Sequence, residues 1–159
     1  MTRKGIFGVV VAAAMASATV LASVSFDPGT GTGFVGKGDV QTALGLNNAQ
    51  VQAMAGSLSF AYTEVVEETI TCEHQTGHGT NTRTGSRNGG LNDTVGYTAR
   101  THNQVDGFIL TGYSSQNDSW GQWTNGDVNA CGNSAWPIVS DDVTVVSGPT
   151  LYVNGVALN

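Results

Sequence analysis

Hydrophobic and polar positions alternate with a period of two along much of the chain after residue 57. In the first such stretch Leu58, Phe60 and Tyr62 are each separated by one smaller or polar residue. Successive side chains of a β-strand point to opposite faces, so this period predicts strands with one buried face. The predicted strands are 58–72, as one long or two short strands, 95–101, 107–113, 143–147, 151–153 and 156–158.

Asn154 and Gly155 stand between the last two predicted strands. Asn-Gly favours a two-residue hairpin turn, because both positions of that turn need a positive φ, which these two residues adopt readily. We therefore expect the chain to end in a β-hairpin.

One stretch before the strands has a helical pattern instead. Val51, Met54 and Ala55 lie three and four residues apart, which places them on one face of a helix. Asparagine or aspartate before a helix and glycine after it are typical end signals. Two helices are predicted, 40–44 between Asp39 and Gly45, and 48–55 between Asn47 and Gly56. Because residues 37–56 contain one lysine and no arginine, a DNA-binding helix-turn-helix is not expected.

The remaining stretches have neither period. Residues 23–38 are expected to form a flexible lead-in, and 75–92 and 114–141, which are rich in Gly, Thr and Asn, are predicted as loops. Together the elements predict a mainly β fold. We expect a single antiparallel β-sandwich or open barrel of about six to eight strands, with a short helical pair at its N-terminal end. The predicted domain spans 39–159.

The first 22 residues have the three parts of a signal peptide. Arg3 and Lys4 supply a positive start, an apolar stretch follows, and small residues lead to the predicted cleavage site after Ala22, with Ala18 as a second candidate. The stretch 5–24 is also long enough to be a membrane anchor. Its alanine and serine content and the lack of a basic stop favour a cleaved leader. We therefore expect a protein that is secreted or held in the cell envelope.

The sequence has a formal net charge of −6, from 6 basic and 12 acidic residues. Removing residues 1–22 takes away two basic residues and no acid, so the mature chain has 4 basic residues and a charge of −8. This charge repels phosphate backbones and anionic lipid, which argues against nucleic acid as a partner and against membrane insertion after processing. No cofactor is predicted.

The chain has two cysteines, Cys72 and Cys131. An even number of cysteines in an exported chain favours a disulfide. The bridge would close a loop of 58 residues, 73–130, and chain-entropy arguments assign a loop of that size about 4 kcal/mol. We expect this disulfide to tie the last long loop to the sheet.

The same cysteine belongs to the most ligand-like cluster in the sequence. Cys72, His74 and His78 have a spacing that suits zinc or copper, with Cys131 as a distant fourth ligand. Such a site needs both thiols reduced, which an oxidising exterior opposes. His74 and His78 alone, beside a disulfide, remain as weak metal candidates, and no catalytic residue is assigned.

Four glutamates, Glu64, Glu67, Glu68 and Glu73, lie close together in the first predicted strand. A glycosidase needs two carboxyl groups that face each other across a cleft. In a strand Glu64 and Glu68 share one face and Glu67 and Glu73 are on the other, which is typical of a solvated edge. No serine is surrounded by the G-x-S-x-G pattern of a nucleophile elbow. The interpretation therefore leans against an enzyme.

Aromatic residues in the last long loop are the best binding candidates. Flat rings stack on the apolar face of a sugar while nearby amides bind its hydroxyls, and this part of the chain is rich in Asn and Gln. The alternative is that the tryptophans fill the end of the sheet beside Cys131. The candidates are Tyr113, Trp120, Trp123 and Trp136.

Three segments resemble those of a family of small secreted bacterial proteins. The first is Gly33-Phe34-Val35-Gly36-Lys37-Gly38-Asp39-Val40-Gln41 near the mature N-terminus. The second is Gly107-Phe108-Ile109-Leu110-Thr111-Gly112, and the third is Leu151-Tyr152-Val153-Asn154-Gly155. The resemblance covers most of the mature chain. It implies export and a single domain, and it implies no activity and no functional residue.

The function that these observations favour is that of a non-enzymatic structural or interaction protein, secreted or in the envelope. The first alternative is an extracellular glycan-binding module that uses the loop tryptophans. The second is an extracellular hydrolase or metal-binding protein. Extracellular glycan, an envelope protein and a second copy of the chain are the partners under consideration, the last because short strands can pair at their edges.

Overall fold

A computed structural model describes residues 24–74, 77–124 and 137–158 of the chain. In that part the fold is mainly β, with an antiparallel sheet, two short helices and one 3-10 turn. The elements are β1 (Val24–Asp27), β2 (Thr32–Gly36), α1 (Lys37–Leu44), α2 (Asn48–Met54), the 3-10 turn Ala55–Ser57, β3 (Phe60–His74), β4 (Gly77–Thr98), β5 (Thr101–Tyr113), β6 (Asn117–Trp120), β7 (Ile138–Val153) and β8 (Val156–Ala157). They divide into two compact units.

The first unit holds β1, β2, both helices, the end of β4 and most of β5. β1 and β2 form an antiparallel hairpin, and β2 pairs with β5. The helices pack their apolar side chains into the core of this unit, and Gln52 ties α2 to β5. Its side-chain Nε2 donates to the Asn103 carbonyl, and its Oε1 accepts from the Val105 N–H at 3.0 Å. Core residues here are Val35, Val40, Val51, Val105, Phe108 and Leu110.

Two of the four residues predicted to end the helices, Asn47 and Gly45, are confirmed, whereas Gly56 lies inside the 3-10 turn that follows α2. Asn47 caps α2, because its side chain accepts from the Gln50 N–H while the Gln50 side chain accepts from the Asn47 N–H. Gly45 follows α1 in the left-handed conformation, with φ of 65°. The Asp39 cap is wrong. α1 begins earlier, after Gly36, so Asp39 lies inside its first turn.

The second unit is built around the long strand β3. Its 15 residues pair with β4 on one side, and β7 pairs with it on the other. β6 pairs with the far edge of β4, at Gly85 to Asn88, and β8 pairs with the end of β7. The C-terminal hairpin is confirmed, since Asn154 and Gly155 both have positive φ, 47° and 79°.

Two loop predictions are wrong. The sequence predicts loops at 75–92 and 114–141, but β4 runs from Gly77 to Thr98, and residues 114–141 contain β6 and the start of β7. β4 lacks a hydrophobic period because its side chains on one face are Asn, Arg and Gly rather than apolar residues. The strands predicted at 95–101 and 107–113 place their connection after residue 101, whereas the structure has a two-residue turn at 99–100.

The N-terminal segment also differs from its prediction. β1 and β2 lie within residues 23–38, which were expected to be a flexible lead-in, so the helical pair follows two strands. The Asp27 side chain shapes the turn between them by accepting from the Gly29 N–H and the Thr30 hydroxyl at 2.8 and 3.0 Å. The predicted leader, residues 1–22, lies outside the described residues.

Candidate functional site: charged and aromatic side chains on β3, β4 and β6

One face of β3 is buried from Phe60 to Cys72. Every second residue on that face is buried, and two of them are glutamates with side chains that are 1 % and 11 % exposed, Glu64 and Glu68. The prediction of a solvated acidic face is therefore wrong for this pair. The buried row is Phe60, Tyr62, Glu64, Val66, Glu68, Ile70 and Cys72.

The reason lies in the register of β4. Arg87 stands directly opposite Glu64, and Arg83 stands directly opposite Glu68. Side chains of directly opposed residues share a face of the sheet, so each carboxylate meets a guanidinium. A buried carboxylate is tolerated when it is paired in this way. The two arginines were missed from the sequence, although Asn81, Arg83 and Arg87 do follow a period of two.

The first ion pair extends to a third residue on β6. Arg87 donates to Glu64 at 3.4 Å, and its other nitrogens donate to the two carboxylate oxygens of Asp118 at 2.8 and 3.1 Å. This bidentate hydrogen bond raises the pKa of the Arg87 guanidinium, partial burial lowers it, and the charges of Asp118 and Glu64 raise it further. One cation thus links three strands.

The second ion pair is covered by aromatic rings. Arg83 forms its ion pair with Glu68, and its guanidinium carbon lies 4.7 Å from the ring centroid of Trp120 and 4.4 Å from that of Trp123. Both tryptophans are partly exposed. They are therefore neither pure core residues nor open platforms, since the guanidinium occupies part of each ring surface.

A missing side chain makes room for Trp120. Gly85 lies opposite Trp120 in the register of β4 and β6. A Cβ at Gly85 would stand 2.6 Å from the Trp120 ring carbon Cε3 and 2.6 Å from the Ser119 carbonyl oxygen. The ring therefore packs against bare backbone, and only glycine allows this approach.

Hydrogen bonds continue along the same edge of β4 beyond β6. The Gly121 N–H donates to the Thr84 carbonyl at 2.9 Å, and the Thr124 N–H donates to the Thr82 carbonyl at 2.9 Å. The Thr124 hydroxyl also donates to Asn81 Oδ1 at 3.0 Å. Residues 117–124 are therefore fixed to β4, and Trp123 is held between two of these bonds.

Tyr113 lies in a different part of the unit. Its ring centroid is 5.5 Å from that of the buried Tyr62, and the Tyr62 hydroxyl accepts from the Gln116 side chain at 2.6 Å. The structure thus brings Trp120 and Trp123 together on Arg83 and places Tyr113 with Tyr62. Trp136, the fourth aromatic candidate, lies outside the described residues.

The metal candidates lie near the tip of the hairpin between β3 and β4. The backbone register places His74 opposite Gly77 and His78 opposite Glu73. Among the described residues there is no group of three or more His, Cys, Asp and Glu that could hold a metal ion. Cys72 is fully buried, and its predicted partner Cys131 lies outside the described residues, so their pairing stays a prediction.

A second surface feature of this unit is the strand β7. Residues 138–149 are exposed without interruption, on both faces of the strand. Five of them are large aliphatic residues, 45–54 % exposed: Ile138, Val139, Val143, Val145 and Val146. The sequence predicts a strand at 143–147. It does not predict that this strand is exposed, because a strand pattern does not reveal how many neighbouring elements cover a strand.

The comparisons with known proteins give no relative. No protein-family model, no curated protein and no solved structure matches this chain. Within the described residues, no helix is long and apolar enough to span a bilayer.

Proposed function

We propose that the protein is an exported, non-enzymatic interaction module that binds a protein partner through β7. The observation that carries this proposal is the run of twelve exposed strand residues with five large aliphatic side chains. Exposed apolar surface of this kind marks interaction sites in soluble proteins, and a free strand edge binds extended segments through its backbone.

The charged residues support a non-enzymatic role. Glu64 and Glu68 lie on a buried face, and each is in an ion pair with an arginine. They are the two glutamates of β3 that share a face, as the two carboxyl groups of a glycosidase site would have to. A general acid or a nucleophile must reach its substrate, and these carboxylates instead join strands. The proposed location, outside the cell or in the envelope, rests on the predicted leader and the predicted disulfide.

The finer architecture belongs to the same proposal. We propose that the strands enclose their core as an open barrel or a sandwich would. The buried row from Phe60 to Cys72 on β3 supports this, because a buried face of that length needs cover along all of it.

Site-directed photo-crosslinking in the producing cells tests the binding role. A photoreactive amino acid is placed at Val143 of β7 and, as a matched control, at Ser86, which is also exposed but lies on β4. We expect a covalent protein adduct from Val143 and none from Ser86. No adduct at Val143, or equal adducts at both positions, would contradict the proposal.

A second candidate function is glycan binding at Trp120 and Trp123. The observation that favours it is that both indoles are held on one edge, partly exposed, on a segment that also carries the exposed amide residues Asn117 and Gln122. A polysaccharide pull-down compares the wild type with a Trp120→Phe/Trp123→Phe variant and a Trp120→Ala/Trp123→Ala variant. Glycan binding predicts retention by the first and loss by the second, with circular dichroism showing that both are folded. Equal retention by all three removes this candidate.

A further inference from the structure

Over ten residues, none of the described strands pairs with the outer edge of β7. In the order of the described strands, β7 lies between β3 and β8, and β8 pairs only with Tyr152 and Val153. Pro149 has no N–H to donate, which ends the usable edge on that side. Residues 138–147 therefore present backbone donors and acceptors that no described strand meets, a length of about 33 Å.

This edge also carries apolar side chains on a defined face. Val143 stands opposite Glu68 and Val145 opposite Val66, so both valines share the face on which β3 is buried. On β3 that face is covered, with Val66 at 0 % exposure, but Val143 and Val145 are 45 % and 47 % exposed. The apolar layer therefore stops at β3, and one more strand beside β7 would extend it.

We propose that the strand which docks there is β7 of a second copy, antiparallel, with the two-fold axis at Thr144. In this register Thr144 faces Thr144 of the second copy, and Val143 faces its Val145. All four valines then lie on one face of a continuous sheet. Val-Val and Thr-Thr neighbours are favourable cross-strand pairs. Because the contact is reciprocal, one patch serves both subunits and the assembly closes as a dimer.

The two carboxylates on β7 limit the registers that this pair can adopt. Asp141 and Asp142 are adjacent, in a chain with a net charge of −6. With the axis at Thr144, Asp142 faces Val146 and Asp141 faces Ser147 of the second copy. An axis at Asp141 or at Asp142 would place that aspartate directly opposite its own copy, and like charges in that arrangement destabilise a strand pair. The charges therefore permit the Thr144 axis and oppose an axis at either aspartate.

This dimer rests on the proposed binding role of β7 and names its partner. Engineered cysteines test the register in the mature chain with its own cysteines retained. Directly opposed residues in antiparallel strands have Cα atoms about 4.5–5.5 Å apart, within disulfide reach. In the Thr144 register two Ser140 residues are eight residues apart along the pair, about 26 Å. We expect Thr144→Cys to give a covalent dimer under mild oxidation and Ser140→Cys to stay monomeric. Equal cross-linking by both variants, or none by Thr144→Cys, overturns the register.

Sedimentation tests the association itself. We expect the wild type to shift from the mass of one chain to that of two as concentration rises. Thr144→Lys places two like charges on the axis and should weaken this dimer roughly tenfold or more, whereas Ser140→Lys faces Gly148 and should not. Thr144 is exposed, so neither change disturbs the core. A wild type that remains monomeric overturns the second copy as the occupant. If photo-crosslinking at Val143 then joins a different protein, the binding role stands and only the dimer fails.

Discussion

Arg83 is in an ion pair with Glu68 on the neighbouring strand, and the pair lies beneath two indole rings. The side chains are only 25 % and 11 % exposed. Loss of water strengthens both the ion pair and the attraction of a cation to an aromatic ring. Arg83 thus holds a buried charge on β3 and fixes residues 117–124 on the far side of β4.

Removal of this guanidinium should therefore destabilise the unit. Arg83→Ala leaves Glu68 without its counter-charge and the tryptophans without their packing partner. We expect a loss of about 2–3 kcal/mol in the free energy of unfolding, the usual size for breaking a partly buried charged hydrogen bond. Urea unfolding followed by tryptophan fluorescence measures it. Arg100→Ala is the matched control, because Arg100 is exposed in a turn, and it should change stability by less than about 0.5 kcal/mol. Equal losses of stability in both variants would contradict a stabilising role for the contacts of Arg83 with Glu68 and the two tryptophans.

Two glycine substitutions should change the stability of the protein in opposite directions. At Gly85 a new methyl would collide with the Trp120 ring and the Ser119 carbonyl, both at 2.6 Å. Gly85→Ala should cost about 1–3 kcal/mol, as overpacking does, and should shift tryptophan emission to longer wavelength as β6 moves. Gly38 lies in α1 with nothing within 4 Å of the new Cβ, so Gly38→Ala should stabilise by about 0.4–1 kcal/mol. Thermal unfolding compares them, and a stabilising Gly85→Ala would contradict the packing of Trp120.

Asp93 should give stability a dependence on pH. Partial burial raises the pKa of the Asp93 carboxyl, and a backbone hydrogen bond partly offsets this. A raised pKa means that the folded state favours the protonated form, so the contribution of Asp93 is present at low pH and is lost as pH rises through its folded pKa. Asp93→Asn should therefore raise the melting temperature at pH 7 and leave it unchanged near pH 3. Equal gains at both pH values would indicate a cause other than ionisation.

The strands with alternating apolar residues could be predicted from sequence, as could the Asn47 cap and the turn at Asn154 and Gly155. These depend on local geometry, which local sequence encodes. β4 could not be predicted, because its residues fit a strand only through their contacts with residues on β3 and β6. Its arginines pair with glutamates on β3, and Gly85 gives room to Trp120 on β6. A strand built from such Gly, Thr and Asn residues has the composition of a loop. Only its register with the neighbouring strands distinguishes it from one.

The same limit applies to the binding surfaces. The sequence indicated that Trp120 and Trp123 act together, but it did not indicate Arg83, since an arginine 37 residues before Trp120 has no visible link to it. The sequence predicts exposed glutamates because charged residues are rarely buried unless paired, and the arginines that pair with them lie in a segment predicted as a loop. The prediction of a loop in place of β4 thus explains both the missed arginine and the misplaced glutamates.

The predicted disulfide can be tested by whether the stability losses from replacing its two cysteines add. Cys72 is fully buried in β3, so Cys72→Ala removes packing, whereas a bridge to Cys131 would add the restraint on residues 73–130, about 4 kcal/mol. If the bridge exists, Cys131→Ala alone removes that restraint, and Cys72→Ala/Cys131→Ala costs far less than the sum of the two single changes, because both break one bond. Urea unfolding of the three variants measures this coupling. Intact mass supplies the control, since the wild type should weigh two hydrogens less than the reduced chain. Strictly additive losses together with the reduced mass would show that the cysteines are independent.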